Sequence, residues 1–252
     1  MGRRFGQHFL ARQSVLERIA HAACPEHCDL ILEIGPGRGA LTLHLLERAS
    51  RVVAIEIDPV LVQYLRSKFR EQQNLEIVEN DILKADLSAY GPITVAGNLP
   101  YYITSPIIRK VLALGPQLAQ AVFLVQKEVA ERLTASHGTR DYGYLSVQTQ
   151  LLSQAELLFT VPATAFRPPP KVDSALVRLK PRAELPVADS AAFLKFASAA
   201  FRQKRKTLRN NLLGTYEKDL LDALPETKQR AEKLSIDELI RLWESLMQTA
   251  RE

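Results

Sequence analysis

Short apolar runs alternate with longer segments through the first two-thirds of this 252-residue chain, and this alternation constrains the fold more than any other feature. Runs rich in Val, Ile and Leu lie at 30–34, 51–55, 75–78, 93–96 and 121–125. Strands separated by helix-length segments form βαβ units, so the order predicts an α/β fold with a mostly parallel sheet and helices on both faces. The later runs 156–161 and 175–179 have no helix-length segment between them and predict an antiparallel hairpin that ends the sheet.

The pattern changes after residue 182, where strand-like runs end and only helical spacing remains. Helices are predicted at 191–201, 205–213, 218–224 and 237–247. Ser235 and Glu238 have the spacing of a capping box at the start of the last helix. We therefore predict a sheet domain over residues 1–182, of which 1–12 are a flexible N-terminal segment, and a small all-helical domain over 183–252.

Composition excludes several classes of protein. Hydrophobic residues make up 46% and charged residues 24%, as in folded globular proteins, and no apolar run approaches the roughly 20 residues of a membrane-spanning helix. The first residues lack the apolar core of a secretory signal. Cys24 and Cys28 are too few for a disulfide framework and lack a second pair of metal ligands, so we predict reduced cysteines, no metal site and a cytoplasmic protein.

A glycine-rich loop follows the first predicted strand and opens the first predicted helix. Glu33-Ile34-Gly35-Pro36-Gly37-Arg38-Gly39 has the spacing G-x-G-x-G, which differs from the dinucleotide fingerprint and from a P-loop. Glycines allow a tight turn and the close approach of a ligand to the backbone. Gly35 and Gly37 are therefore predicted to bind a cofactor.

Acidic residues stand at the ends of the next two predicted strands. Glu56 ends the second strand, where a carboxylate can accept hydrogen bonds from a ribose diol. Asp81 follows the third strand, where it can meet the amino group of adenine. A ligand with adenosine and no pyrophosphate fits this set, which predicts S-adenosylmethionine. The combination resembles the Rossmann-like class I methyltransferases.

Gly97-Asn98-Leu99-Pro100-Tyr101-Tyr102 follows the fourth predicted strand and has the features of a reaction centre. The amino group of adenine is a poor nucleophile, because its lone pair is delocalised into the ring. The Asn98 Oδ1 atom and the Leu99 carbonyl can accept its two N–H groups and favour a more tetrahedral nitrogen, while Pro100 stiffens the turn. Tyr101 can stack on the base once that base has left its helical stack.

Several longer blocks make the resemblance narrower. They are 6–10 (GQHFL), 126–133 (QKEVAERL), 142–147 (YGYLSV), 166–175 (FRPPPKVDSA) and 205–212 (RKTLRNNL). With Asn98-Leu99-Pro100-Tyr101 they resemble the KsgA-type small-subunit (16S) rRNA adenine N6,N6-dimethyltransferases, from residue 6 to about 213.

This resemblance implies the transfer of four methyl groups from S-adenosylmethionine to N6 of two adjacent adenosines, in the hairpin near the 3′ end of the small-subunit rRNA. It also implies that the cofactor contacts His8, Leu10, Gly35, Glu56, Asp81 and Asn98. Phe166 is predicted to form the wall of the base pocket opposite Tyr101. The expected partner is rRNA within an immature 30S particle, bound by a monomer that also serves as a late assembly checkpoint.

The net charge of +5 is concentrated in two segments. Residues 1–12 and residues 202–209 contain basic residues and no acid, so the rest of the chain is slightly acidic. Such segments can bind phosphates with a salt-sensitive affinity. The predicted RNA-binding residues are Arg3, Arg4, Arg167, Lys171, Arg202, Lys204, Arg205, Lys206 and Arg209.

Three other functions remain open at this point. One is a resistance methyltransferase that acts on large-subunit rRNA, which the 166–174 block and the long helical tail disfavour. A second is a ribosome-assembly or transcription factor that kept the fold and lost catalysis, which the complete set of site residues disfavours. The third is a DNA adenine methyltransferase.

Overall fold

The computed structural model describes residues 8–249, and its main element is a seven-stranded sheet. The strand order is β4-β3-β2-β5-β6-β9-β7, with all pairs parallel except β6–β9 and β9–β7. The strands of this sheet are β2 (Cys28–Ile34), β3 (Ala49–Glu56), β4 (Leu75–Glu79), β5 (Ile93–Asn98), β6 (Leu118–Gln126), β7 (Ser153–Val161) and β9 (Ser174–Pro181). The predicted parallel sheet with a closing antiparallel hairpin is confirmed.

Helices follow most of the parallel strands. These are α2 (Ala40–Leu46), α3 (Pro59–Lys68), α4 (Thr104–Leu112) and α5 (Lys127–Thr134). In addition, α1 (Gln13–Ala23) precedes β2, and α6 (Tyr144–Leu152) follows α5. The start of α3 shows why the chain turns into a helix there: Asp58 accepts the Val60 N–H at 2.9 Å, and Pro59 occupies the first turn. Ile31, Val52 and Val122 are fully buried, because helices cover the sheet on both faces.

The order in which successive strands are added to the sheet reverses between β2 and β5, although the two strands are parallel. From β2 it proceeds outward through β3 to β4, and it then returns to the other side of β2 to form β5. Loops after adjacent strands part at such a switch point and leave a crevice at the carboxyl ends of the strands, where ligands bind in open α/β sheets. The predicted glycine loop and Asn98 flank this crevice.

Two compact units share the chain, and their division differs from the sequence prediction. The first contains the described residues up to Ala130 and Ser153–Pro181, and the second contains Glu131–Leu152 and the described residues from Arg182 onward. The boundary near 182 is therefore present, but the segment 131–152 was wrongly placed in the sheet domain. Val147 and Leu151 of α6 belong instead to the apolar core of the helical unit, with Phe193 and Trp243.

The second unit contains four further helices among the described residues: α7 (Ser190–Ala200), α8 (Leu208–Leu212), α9 (Lys218–Ala223) and α10 (Ile236–Thr249). The capping box is confirmed, since Ser235 N–H donates to Glu238 Oε2 at 2.8 Å and Glu238 N–H donates to Ser235 Oγ at 3.2 Å. The prediction of helix from 205 is wrong, because Thr207 caps α8 and residues 202–206 form turns. These turns hold no apolar side chain that a helix could bury.

Residues 8–12 of the N-terminal segment are held against the sheet unit, whereas 1–7 lie outside the described residues. β1 (Phe9–Leu10) pairs antiparallel with β8 (Phe166–Arg167), and Leu10 is 6% exposed. This part of the predicted flexible segment therefore has defined contacts, through backbone pairing and the burial of Leu10.

Cys24 and Cys28 are joined by a disulfide, so the prediction of reduced cysteines differs from the structure. The connection from α1 to β2 doubles back and places their Cα atoms 6.1 Å apart. No helix within residues 8–249 is long and apolar enough to cross a membrane.

We predict that Gly97→Ala destabilises the sheet unit by about 1–3 kcal/mol. Gly97 is buried at the end of β5, and an added Cβ would lie 2.6 Å from the carbonyl oxygen of Ile34 in β2, which is backbone and cannot rotate away. Gly143→Ala is the control, because its Cβ would meet nothing within 4 Å. Calorimetric unfolding of both variants measures the difference, and equal destabilisation would contradict the close approach of β2 and β5.

Candidate active site

The glycine loop after β2 presents open backbone to the crevice. Gly35 and Gly37 have φ angles of 65° and 59°, in the left-handed region that glycine adopts without strain. A Cβ on Gly35 would meet no protein atom within 4 Å, and Gly35 lines a cavity of about 290 Å³. A ligand can therefore approach the backbone closely at this position.

Glu56 at the end of β3 is held by three backbone donors. Its Oε2 accepts the Gly37 N–H at 3.1 Å, and its Oε1 accepts the N–H groups of Ile57 and Asp58 at 2.9 and 3.0 Å. The carboxyl is only 4% exposed, and this burial raises its pKa, although the three hydrogen bonds act in the opposite direction. A carboxylate offers about four acceptor positions, so Oε2 retains one for a ligand hydroxyl.

Glu33 is a second buried acid in the cavity wall, and the sequence predictions did not include it among the site residues. It is 2% exposed and accepts a hydrogen bond from Thr42 Oγ at 2.6 Å. The pKa of Glu33 is raised to about 7, chiefly by burial. The nearby Glu56 carboxylate acts in the same direction, whereas the hydrogen bond from Thr42 and the charge of Lys68 act in the opposite direction. Its place immediately before the glycine loop was visible in the sequence, but its burial was not.

Asp81 lies just after β4 and is fixed by the turn that contains it. Its Oδ1 accepts the Leu83 N–H at 2.9 Å, while its own N–H donates to Asn80 Oδ1 at 2.8 Å. Asp81 is half-buried and lines the cavity on the same side of the sheet as Glu56, at the end of the neighbouring strand.

Asn98 stands at the end of β5 with its amide already engaged. Its Nδ2 donates to the His8 carbonyl at 3.2 Å, which leaves Oδ1 available as an acceptor. The Leu99 N–H donates to the Leu124 carbonyl at 3.0 Å, and the Pro100 carbonyl accepts from Thr104 Oγ at 3.0 Å. The turn that carries the two predicted acceptors is thus fixed on both sides.

Tyr101 and His8 form an aromatic pair beside Asn98. The rings lie 24° from parallel with centroids 6.0 Å apart, and the Tyr101 hydroxyl is 3.2 Å from Ser174 Oγ. His8 Nδ1 donates to the Pro168 carbonyl at 2.8 Å, so its Nε2 is left to accept a hydrogen bond. His8 is therefore placed to hydrogen-bond a ligand through Nε2.

Phe166 does not occupy its predicted position. It is 2% exposed, lies in the apolar core with Leu10 and Ile19, and is absent from the residues that line the cavity. The pairing of β8 with β1 directs this side chain into the core. The prediction that Phe166 forms a wall opposite Tyr101 is therefore wrong for this structure.

The other predicted cofactor and reaction-centre residues all line one cavity. They are His8, Leu10, Gly35, Gly37, Glu56, Asp81, Asn98, Leu99, Pro100 and Tyr101.

The predicted RNA-binding residues are divided between the two units and the segment outside the described residues. Arg3 and Arg4 lie outside the described residues. In the sheet unit, Arg167 at the end of β8 and Lys171 on the following loop are exposed, and Pro168 of this loop contacts His8. In the helical unit, the exposed basic side chains of the 202–206 turns are Arg202, Lys204, Arg205 and Lys206.

Two arginines alter the basic surface predicted for the helical unit, since Arg209 is paired with an acid and Arg140 joins the surface. Arg209 forms a forked ion pair with Asp222, which lowers the pKa of that carboxyl and neutralises the charge of Arg209. The Lys204 ammonium donates to the Arg140 carbonyl, which brings an exposed arginine from a distant part of the sequence beside the 202–206 turns. Sequence reasoning missed Arg140 because it separated these segments into different domains.

Comparison with known proteins identifies the family. Residues 1–248 match the family model described as "Ribosomal RNA adenine dimethylase". The chain belongs to the ribosomal RNA adenine dimethylases. The predicted fold, cofactor and activity, those of an S-adenosylmethionine-dependent rRNA adenine dimethyltransferase, are thereby confirmed.

Relatives of this dimethylase cover almost its whole length. "Ribosomal RNA small subunit methyltransferase A" of Chlorobium phaeobacteroides is 42% identical over 97% of this chain and 90% of its own. The protein of the same name from Acaryochloris marina is 43% identical over 97% of this chain and 96% of its own.

Two solved structures resemble the whole dimethylase. A dimethyladenosine transferase from Plasmodium falciparum has a TM-score of 0.82 and 27% identity, over 96% of this chain and 98% of its own. The 23S rRNA methyltransferase ErmE has a TM-score of 0.75 and 31% identity, over 95% and 99%.

The residues of the dimethylase cavity fit S-adenosylmethionine. The open space beside Gly35 can take the body of a ligand, the free acceptor of Glu56 suits a ribose hydroxyl, and Asp81 suits an amino group. The volume of about 290 Å³ is close to the lower end of the usual range for small-molecule sites, about 300–1,000 Å³. Asn98 and Tyr101 line the same cavity.

We predict that the stability of the dimethylase falls as pH rises from about 4.5 to 7, in part because of Glu33. Its pKa of about 7 in the folded protein exceeds the ordinary value of 4.5, so the folded state holds a proton that the unfolded chain releases in this window. The loss in the free energy of unfolding is about 3 kcal/mol at most.

Glu33→Gln should remove this part of the pH dependence, because glutamine carries no charge at any of these pH values. Urea unfolding at pH 5, 6, 7 and 8 measures it, with the exposed Glu47→Gln as the control. An identical slope in Glu33→Gln and the unsubstituted protein would show that the folded protein does not hold this proton.

Proposed function

We propose that this dimethylase transfers methyl groups from S-adenosylmethionine to N6 of two adjacent adenosines in the hairpin loop near the 3′ end of the small-subunit (16S) rRNA. It acts as a cytoplasmic monomer on an immature 30S particle. One observation carries the proposal: Asn98-Leu99-Pro100-Tyr101 lines the same cavity as the glycine loop, Glu56 and Asp81. The names and identities of the small-subunit relatives support the choice of rRNA.

The cofactor is held at the carboxyl ends of β2, β3 and β4, on one side of the switch point. Glu56 accepts a hydrogen bond from the ribose, and Asp81 accepts one from the adenine amino group. The backbone at Gly35 and Gly37 and the side chains of His8 and Leu10 enclose the remainder. Because Glu56 is fixed by three backbone N–H groups, this recognition needs little rearrangement.

The reaction centre prepares the amino group of the target adenine. Asn98 Oδ1 and the Leu99 carbonyl accept its two N–H groups, which favours a lone pair that is directed away from the ring and toward the cofactor. When bound, S-adenosylmethionine supplies the methyl group in an in-line transfer. Tyr101 stacks on the base and fixes its plane, so positioning provides most of the catalysis.

We predict that Asn98→Ala lowers kcat at least a hundredfold, a typical effect of removing one preorganised polar group. Methylation of immature 30S particles with labelled S-adenosylmethionine measures transfer, and a pull-down of particles measures binding. Particle binding should remain within about twofold, because the target base is the only part of the rRNA that Asn98 contacts. Unchanged transfer would contradict the assigned reaction centre, and loss of both activities would indicate a structural role.

The 202–206 turns supply a basic surface for the rRNA backbone. Lys204→Glu with Arg205→Glu should weaken particle binding and lower the slope of affinity against salt concentration, because fewer counterions are released on binding. Cofactor affinity should stay unchanged, since neither residue lines the cavity.

The control for this charge reversal is Arg70→Glu with Lys180→Glu, which changes the net charge equally. Arg70 lies between the end of α3 and the start of β4, and Lys180 pairs with Gln154 near the end of β9. Both therefore lie at the amino ends of the parallel strands, away from the cavity. Equal loss of particle binding in both double variants would contradict a specific contact by the turns.

A second candidate substrate is large-subunit rRNA, which the likeness to ErmE favours. Identity to the small-subunit relatives is higher, at 42% and 43% against 31%, and extends over equally much of the chain. Small-subunit rRNA is therefore the substrate that we propose.

A further inference from the structure

Tyr102 combines high exposure with a position in the cavity wall. Its side chain is 63% exposed, more than any other aromatic residue that the structure describes within residues 8–249. It nevertheless lines the same cavity as Asn98 and Tyr101. A residue with both properties stands at the rim, where the cavity opens to solvent.

Neither burial nor a hydrogen bond within the described residues explains why a tyrosine stands at position 102. The neighbouring Tyr101 is half-buried, and its hydroxyl meets Ser174 Oγ. Within the described part of the chain, no hydrogen bond or ring contact involves the Tyr102 side chain. The backbone beneath it is fixed, since the Pro100 carbonyl accepts from Ile103 N–H at 3.2 Å and from Thr104 Oγ at 3.0 Å.

The size of the cavity limits which nucleobase can contact the Tyr102 ring. The cavity of about 290 Å³ is no larger than an ordinary site for one small molecule, so it has no room for two target bases beside the cofactor, and a second base of the same strand must remain outside. A base whose neighbour has been extruded loses a stacking partner and exposes its apolar face. An aromatic ring at the rim restores this contact, and it does so without reading sequence, because every base has a π-face.

Positive charge lies on the loop beside this rim. Arg167 and Lys171 are exposed, and the loop that carries them is tied to the cavity by the bond from His8 to the Pro168 carbonyl. The loop is also fixed at its other end, where Asp173 Oδ1 accepts the Ala163 N–H at 2.9 Å. Phosphates on either side of an extruded nucleotide would meet these side chains.

We propose that Tyr102 stacks on the nucleobase next to the target adenosine and so holds the rRNA strand at the cavity rim. This inference rests on the proposed function and assigns the ring to the neighbouring nucleotide, whereas Tyr101 contacts the target itself. In a substrate with two adjacent adenosines, the waiting adenosine is the base on Tyr102 while its neighbour is methylated.

The test compares Tyr102→Ala, Tyr102→Phe and Tyr102→Trp with the unsubstituted protein. Tyr64→Ala is the matched control, because Tyr64 is an exposed tyrosine of α3 that does not line the cavity. Loss of a base stack weakens binding about tenfold or more. We expect Tyr102→Ala to raise KM for immature 30S particles by this factor with kcat little changed, and Tyr102→Phe, Tyr102→Trp and Tyr64→Ala to stay within about twofold.

A binding readout that does not depend on transfer uses a hairpin RNA with 2-aminopurine beside the target adenosine. Stacking should quench its fluorescence with the unsubstituted protein, Tyr102→Phe and Tyr102→Trp, and much less with Tyr102→Ala. Calorimetry should give the same affinity for S-adenosylmethionine in all variants.

Three results would overturn the proposal. They are an unchanged KM and quench in Tyr102→Ala, a loss of cofactor affinity in that variant, and failure of Tyr102→Phe to restore KM. If instead the unsubstituted protein formed no dimethyladenosine in 30S particles, the proposed function would be wrong. The fluorescence of 2-aminopurine would still show whether a base stacks on Tyr102.

Discussion

The Glu56 carboxylate is the contact on which the geometry of the cavity depends. Gly37 donates to it from the loop after β2, while Ile57 and Asp58 donate from the loop after β3. A carboxylate that is 4% exposed requires such partners, because burying it without them would cost several kcal/mol. The glycine loop and the Glu56 carboxylate are consequently fixed relative to each other by the protein itself.

Much of the sheet and of this cavity could be predicted from the sequence. Parallel strands that are covered on both faces appear as continuous apolar runs, and their carboxyl ends meet at one edge. Glu56, Asp81 and Asn98 each follow such a run, so their meeting at one cavity required no knowledge of side-chain packing. The family assignment supports the same fold.

Other features depended on long-range contacts that a local pattern does not contain. Residues 131–152 lie between two strands in the sequence, yet their apolar side chains pack with the helical unit. Phe166 precedes a proline-rich loop, and only its pairing with the N-terminal strand turns it into the core. Arg209 is neutralised by Asp222, and Arg140 joins the basic turns, through contacts across separate segments.

The most direct test is the position of the modified nucleotides. Immature 30S and 50S particles would be incubated with the protein and labelled S-adenosylmethionine, and the rRNA would be digested and sequenced by mass spectrometry. Our account predicts two adjacent N6,N6-dimethyladenosines in the hairpin near the 3′ end of the small-subunit rRNA and no label in 50S particles. Label that appears only in large-subunit rRNA would contradict it.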